Sequence, residues 1–68
     1  MIEISINNTK HQLEKSISIE TTLEQLGYQD KVMLGVALNQ TFVPKEQWAT
    51  VYLNQHDQLD ILNPVSGG

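Results

Sequence analysis

The chain has 68 residues, no cysteine, and eight acidic side chains against four basic ones for a net charge of -4. A chain this short makes one domain, residues 1–68, that buries only about 60% of the surface its unfolded form exposes, and without thiols neither a disulfide framework nor a thiolate zinc site can add to the core. The acidic balance excludes the clustered basic face on which nucleic-acid binding draws. No apolar run approaches the roughly 20 residues of a membrane span, and no basic stretch followed by an apolar one opens the chain, so a cytoplasmic protein with neither membrane nor nucleic acid as partner is expected.

The opening "MIEISIN" alternates apolar and polar residues, which puts Ile2, Ile4 and Ile6 on one face of a strand and Glu3 and Ser5 on the other. Asn7 and Asn8 follow, and asparagine tolerates the positive φ of a tight hairpin turn, so a second strand is expected over residues 10–14. The period then changes. In "SIETTLEQLG" Ile19, Leu23 and Leu26 fall at i, i+4 and i+7, one stripe of a helix, with Ser18 as N-cap, Glu20 in the first turn and Gly27 just past the end.

"KVMLGVALN" returns to a period of two, with Val32, Leu34, Val36 and Leu38 on one face and Met33, Gly35 and Ala37 on the other, the pattern of a strand covered on both sides. Asn39 and Gln40 turn the chain into a short strand over residues 41–43, which Pro44 ends because it has no N–H to give a ladder. "PKEQW" predicts a helical turn starting at the proline, and Trp48 reads as a core residue. "QHDQ" is a polar turn, and "LDIL" a last strand with Leu59 and Ile61 inward. One helix on a mixed sheet is an α+β fold. Its expected core is Ile2, Ile4, Ile6, Ile19, Leu23, Leu26, Val36, Leu38, Val43, Leu59 and Ile61.

Catalytic and metal-binding patterns are weak. His11 and His56 have no third ligand at a metal-like spacing and read as exposed side chains. Asp57 and Asp60 as an acid/base pair need an enclosed pocket that a fold this small has little room for, and no serine sits in a strand-to-helix elbow. The reactive group on display is the terminal carboxylate of Gly68, ionised at neutral pH. Pro64 pushes Asn63 toward an extended conformation and removes a ladder donor, so residues 64–68 are expected to leave the globule as a flexible tail. Ser66, Gly67 and Gly68 present nearly bare backbone that can thread a narrow channel in another protein, where any Cβ would clash. Leu62 should face away from Leu59 and Ile61, and with Val65 it is expected to form a small apolar docking patch beside that tail.

The second half, residues 36–68, resembles the β-grasp, ubiquitin-like sulfur carriers of the ThiS family, which serve thiamine (thiazole) biosynthesis. The likeness rests on Asn39, Val43, Pro44, Lys45 and Trp48 in an N-x-x-x-V-P-[KR]-x-x-W pattern, on Asp57 in an acidic turn, and on Gly67 and Gly68 after a short apolar strand. Pro64 departs from the pattern. The resemblance implies a protein co-substrate and no enzyme: an E1-like adenylyltransferase of the ThiF type adenylates Gly68 with ATP and Mg2+, sulfur from a persulfide leaves a C-terminal thiocarboxylate, and thiazole synthase of the ThiG type takes the sulfur. No cofactor or metal is expected on the chain itself. The alternative is a molybdopterin-pathway sulfur carrier or a ubiquitin-like protein modifier, which shares the tail.

Overall fold

Alternation at the start of the chain produces the strand it implies: β1 runs Ile2–Ile6, with Ile4 and Ile6 buried. The computed structural model describes residues 1–28 and 34–62. Asn7 and Asn8 take φ of 51° and 69°, the pair of positive values that a two-residue type I′ turn requires and that matches the twist of the flanking strands. The turn leads into β2, Thr9–Leu13, antiparallel to β1 with Ile2 opposite Leu13 and Ile6 opposite Thr9. β2 thus starts one residue earlier than residues 10–14, because a two-residue turn leaves Thr9 paired.

Helix α1 spans Ile19–Gln25. Its N-terminus leaves four N–H groups without a partner inside the helix, and those of Ile19, Glu20 and Thr21 are satisfied from outside it. Thr21 N donates to Ser18 Oγ at 3.1 Å, while Ile19 N and Glu20 N donate to the carbonyls of Val51 and Trp48 at 2.9 and 3.0 Å. The C-terminus closes with Gly27 at φ +92°, as Gly27 N donates to Glu24 O and Tyr28 N to Leu23 O, the paired bonds of a Schellman motif. This ending corrects one expected core residue. Leu26 is the C-cap and is 39% exposed; the left-handed turn at Gly27 brings Tyr28 back onto the core instead.

β3 is Gly35–Leu38, and Asn39 and Gln40, at φ 51° and 69°, form a second tight turn into β4, Thr41–Phe42. β4 is one residue shorter than residues 41–43, although Val43 N still donates to Val36 O at 2.9 Å. The expected start of β3 at Val32 and Met33 lies outside the described residues. A 3-10 turn, Lys45–Gln47, follows Pro44, and β5 is Gln58–Leu62. The sheet order is β2-β1-β5-β3-β4, with β5 parallel to β1 and antiparallel to β3. This is the mixed sheet with one helix that the α+β reading required.

One face of the sheet and α1 enclose Ile4, Ile6, Ile19, Leu23, Val36, Val43, Leu59 and Ile61, joined by Trp48 and Leu53. Ile2 and Leu38 are only half-buried, at the margin of this cluster. Leu53 is not among the expected core residues, since "VYLN" has no period long enough to orient it. Trp48 is 2% exposed, and its Nε1–H donates to Val43 O at 3.0 Å, which resolves the one polar atom that burial of the indole threatens to strand. The opposite face of β3 is not covered as its sequence suggested; Gly35 and Ala37 are half-exposed there.

Leu23 has no exposed surface and stands where helix meets sheet. Leu23→Ala is expected to cost about 2 to 5 kcal/mol, a large part of the stability of a domain this size, as measured by urea unfolding; a loss under about 1 kcal/mol would mean that the site collapses or that the helix packs elsewhere.

Candidate functional site

Strand β5 alternates sharply. Leu59 and Ile61 enter the core, whereas Gln58, Asp60 and Leu62 point from the other face of the sheet. Cross-strand pairing puts Gly35 opposite Leu62, Ala37 opposite Asp60 and Phe42 opposite Ala37. Directly opposed residues share a face, so Phe42, Ala37, Asp60, Gly35 and Leu62 all belong to the face that α1 does not cover. Phe42 and Leu62 are each 69% exposed, and Gly35, lacking a side chain, does nothing to cover Leu62. The five residues line a shallow hollow of about 510 Å³ with Asn7 and Asn8 at its edge.

Toward β1 and β2 the same face becomes polar. Ser5 opposes Lys10 and Glu3 opposes Gln12. The apolar part is therefore confined to one side of the sheet, next to the end of β5, with Asp60 inside it. Two exposed large apolar side chains in one hollow on a small acidic domain mark an interaction surface more readily than scattered singles do.

Of the site residues expected from sequence, Leu62 is exposed and faces away from Leu59 and Ile61 as anticipated. Val65, Ser66, Gly67 and Gly68, and Pro64 with them, lie outside the described residues. Phe42 is a site residue that the sequence reading missed, yet the signal is present: with Val43 inward, alternation turns Phe42 outward. The residues weighed for catalysis are not brought together. Asp57 uses its oxygens on Asn39 Nδ2 at 3.0 Å and Asn54 N at 2.7 Å, which ties the turn before β5 to the β3–β4 turn. His56 is exposed, and His11 is half-buried on β2. Among the described residues no three His, Cys, Asp or Glu side chains form a metal-holding group, and no helix is long and apolar enough to cross a membrane.

A model of the ThiS family matches residues 2–68. The chain belongs to the ThiS family. It is 31% identical over 67 residues to the sulfur carrier protein ThiS of Escherichia coli, covering 98% of this chain and 100% of that one. An uncharacterized protein ycf40 of Pyropia yezoensis is likewise 31% identical, over 98% of this chain and 93% of its own. Among solved structures, the crystal structure of a thiamine biosynthesis protein, ThiS, from Geobacter metallireducens superimposes with a TM-score of 0.84 at 17% identity, covering 98% of this chain and all of that one. The solution structure of a thiamine biosynthesis protein from the same organism gives 0.82. The five-stranded mixed sheet with one helix is thus the β-grasp fold that the sequence pattern resembled.

Placed in the fold, the signature residues Asn39, Val43, Pro44, Trp48 and Asp57 are scaffold. Asn39 takes the positive φ of the β3–β4 turn, Val43 is core and accepts the Trp48 N–H, Pro44 opens the 3-10 turn, and Asp57 binds Asn39. The exposed pair has no such task. Phe42→Ser and Leu62→Glu are each expected to change stability by less than about 1 kcal/mol in urea unfolding; a larger loss would show that these side chains support the sheet.

Proposed function

We propose that this chain is a sulfur carrier, a protein co-substrate of thiamine thiazole biosynthesis that catalyses nothing itself. The observation that carries this reading is the relation to the E. coli sulfur carrier over that protein's whole length, beside a family match that runs through Gly67 to Gly68. The site agrees with it. An apolar hollow beside the last strand suits docking, and six residues separate Leu62 from the Gly68 carboxylate, a reach of at most about 20 Å. Ser66, Gly67 and Gly68 are small enough to enter a narrow channel in the docked enzyme.

A free carboxylate is a poor electrophile, so the reaction begins with activation. A carboxylate oxygen of Gly68 attacks the α-phosphorus of ATP, held with Mg2+ by an E1-like adenylyltransferase of the ThiF type, and pyrophosphate leaves. A persulfide sulfur then attacks the acyl carbon and expels AMP. A second thiol cleaves the resulting sulfur–sulfur bond, becoming part of a disulfide, and the chain departs with a thiocarboxylate at Gly68. Thiazole synthase of the ThiG type accepts that sulfur. ATP and Mg2+ belong to the partner, and the carrier acts in the cytoplasm with its enzymes. Leu62 and Phe42, with Val65, provide the apolar anchor for docking, and the acidic character of the chain, with Asp60 in the hollow, favours a basic rim on the partner.

The test combines the chain with the E1-like enzyme and Mg-ATP. Pyrophosphate exchange is expected with the intact chain, and a persulfide donor should convert it to a species heavier by the sulfur-for-oxygen difference. Because the carboxylate must meet the α-phosphate in line, position matters as much as composition. Deleting Gly68 or appending one alanine should abolish exchange without altering the melt, while Ser66→Ala is tolerated. Equal exchange by the extended chain would exclude the Gly68 carboxylate as the reacting group.

For docking, Leu62→Glu is expected to weaken binding to the adenylyltransferase at least about tenfold, read by titration calorimetry. Unchanged affinity would remove Leu62 from the interface.

A further inference from the structure

The turn at Asn7 does more than reverse the chain. Backbone pairing between β1 and β5 ends with Ile6 opposite Leu59, because Asn7 and Asn8 carry the chain away into β2. The next N–H and C=O that β5 turns toward β1 belong to Ile61. The side chain of Asn7 takes both: Ile61 N donates to Asn7 Oδ1 at 2.8 Å and Asn7 Nδ2 donates to Ile61 O at 3.3 Å, while Asn7 N donates to Leu59 O at 2.9 Å. A carboxamide carries the donor and acceptor of a peptide unit, so it stands in for the missing rung of the ladder. The turn alone does not ask for this. Glycine and aspartate suit the same φ, yet glycine has neither group and an ionised aspartate lacks the donor.

A matching device holds the other end of the strand. Asn39, also first in a tight turn with φ 51°, accepts from Gln58 N at 2.9 Å through Oδ1 and donates from its backbone N–H to Gln58 O at 2.7 Å. β5 is thus gripped at its first residue by Asn39, from the β3 side, and at its next-to-last by Asn7, from the β1 side.

We propose that Asn7 is a positioning residue for the activation of Gly68: its amide holds the end of β5, so that Ile61 and Leu62, from which the chain runs on to Gly68, keep a fixed place relative to the docked face. This rests on the carrier reading above and adds to it a residue that touches neither the reacting atoms nor the partner's nucleotide. Losing the amide leaves the pairing of Leu62 with Gly35 on the β3 side, so the docking side chains stay together. What is freed is the β1 side of Ile61, one residue before the end of β5. The effect should therefore fall on turnover and not on encounter, because misplacing a reacting group lowers the fraction of bound complexes that can react.

The experiment uses the full chain with the adenylyltransferase and Mg-ATP. Asn7→Gly keeps the turn conformation and removes the amide; Asn7→Asp keeps the acceptor for Ile61 N; Asn39→Gly loosens the far end as a control. With Asn7→Gly, the Ile61 amide should exchange hydrogen faster, and kcat for pyrophosphate exchange should drop at least about fivefold while KM for the carrier stays within about twofold. Asn7→Asp should protect the Ile61 amide better than Asn7→Gly, and should still turn over more slowly than the parent. Asn39→Gly should lower the melting temperature and leave kcat unchanged. Wild-type kcat in Asn7→Gly, a loss confined to KM, or an equal loss of kcat in Asn39→Gly would each overturn the proposal. Should Asn7→Gly fail to fold, the same split between kcat and KM is read on Asn7→Asp. A wild-type chain that supports no exchange at all sinks the carrier reading, and this inference with it, whereas an active wild type matched by the variants sinks the inference alone.

Discussion

The last strand of the chain occupies the middle of the sheet, and most of the molecule answers to that placement. β5 has a partner on each side, parallel β1 and antiparallel β3, so it ties the two hairpins into one sheet, and it is the strand whose end leads to Gly68. The route to the centre is long. From β4, at one edge of the sheet, the chain must travel through residues 43–57 before it re-enters as β5. That segment is not spare: Trp48 and Leu53 complete the core, the carbonyls of Trp48 and Val51 receive the open N–H groups of α1, and Leu53 N donates to Ile17 O. A crossover that also caps the helix and fills the core holds three parts of a small domain with one stretch of backbone. With no disulfide to restrict the unfolded chain, such shared use of residues is how a fold this short reaches a stable core.

The two faces of the sheet divide the labour. The inner face is largely aliphatic and sealed by α1 and Trp48; the outer one is polar at β2 and β1, while across β3, β4 and β5 it presents Ala37, Phe42 and Leu62 with Asp60 among them. The signature residues Asn39, Val43, Pro44, Trp48 and Asp57 sit in the turns and on the inner side, where backbone geometry and packing restrict what each can be. Phe42 and Leu62 lie on the other side, free of those restrictions, beside the point where the chain runs on toward Gly68. On the proposed function the scaffold and the reacting end are joined by one strand, so that anything gripping β5 bears on where its end points. Asparagine in the first position of both tight turns serves this purpose because its short amide can adopt a positive φ and still offer a donor and an acceptor to a neighbouring strand.

Much of this is written in local patterning. Period two in "IEISI", "GVAL" and "LDIL", period 3.6 from Ile19, and the turn chemistry of Asn7–Asn8 and Asn39–Gln40 specify all five strands, the helix and both hairpins, because side-chain direction follows directly from backbone period and a turn's φ from its residue type. Outward-facing Leu62 is legible for the same reason, and Phe42 is too, from Val43 beside it. Leu26 escapes this logic because period alone does not say where a helix stops; the Schellman turn at Gly27 spends the last position on a cap and recruits Tyr28. Leu53 escapes it because an irregular segment has no period from which to orient it.

Strand order, and everything that depends on it, belongs to the tertiary structure. Nothing in the pattern of β5 says that it lies between β1 and β3, since hydrogen-bonding groups are identical along any backbone and pairing is chosen by how all the apolar faces close together. Only that closure brings Phe42 to the same hollow as Leu62, twenty residues later, and sets the Asn7 amide against Ile61. The sequence alone settled which residues turn and which face of each strand points inward; the assembled sheet decided which of them meet, because meeting across more than fifty residues is a property of packing and not of any local run.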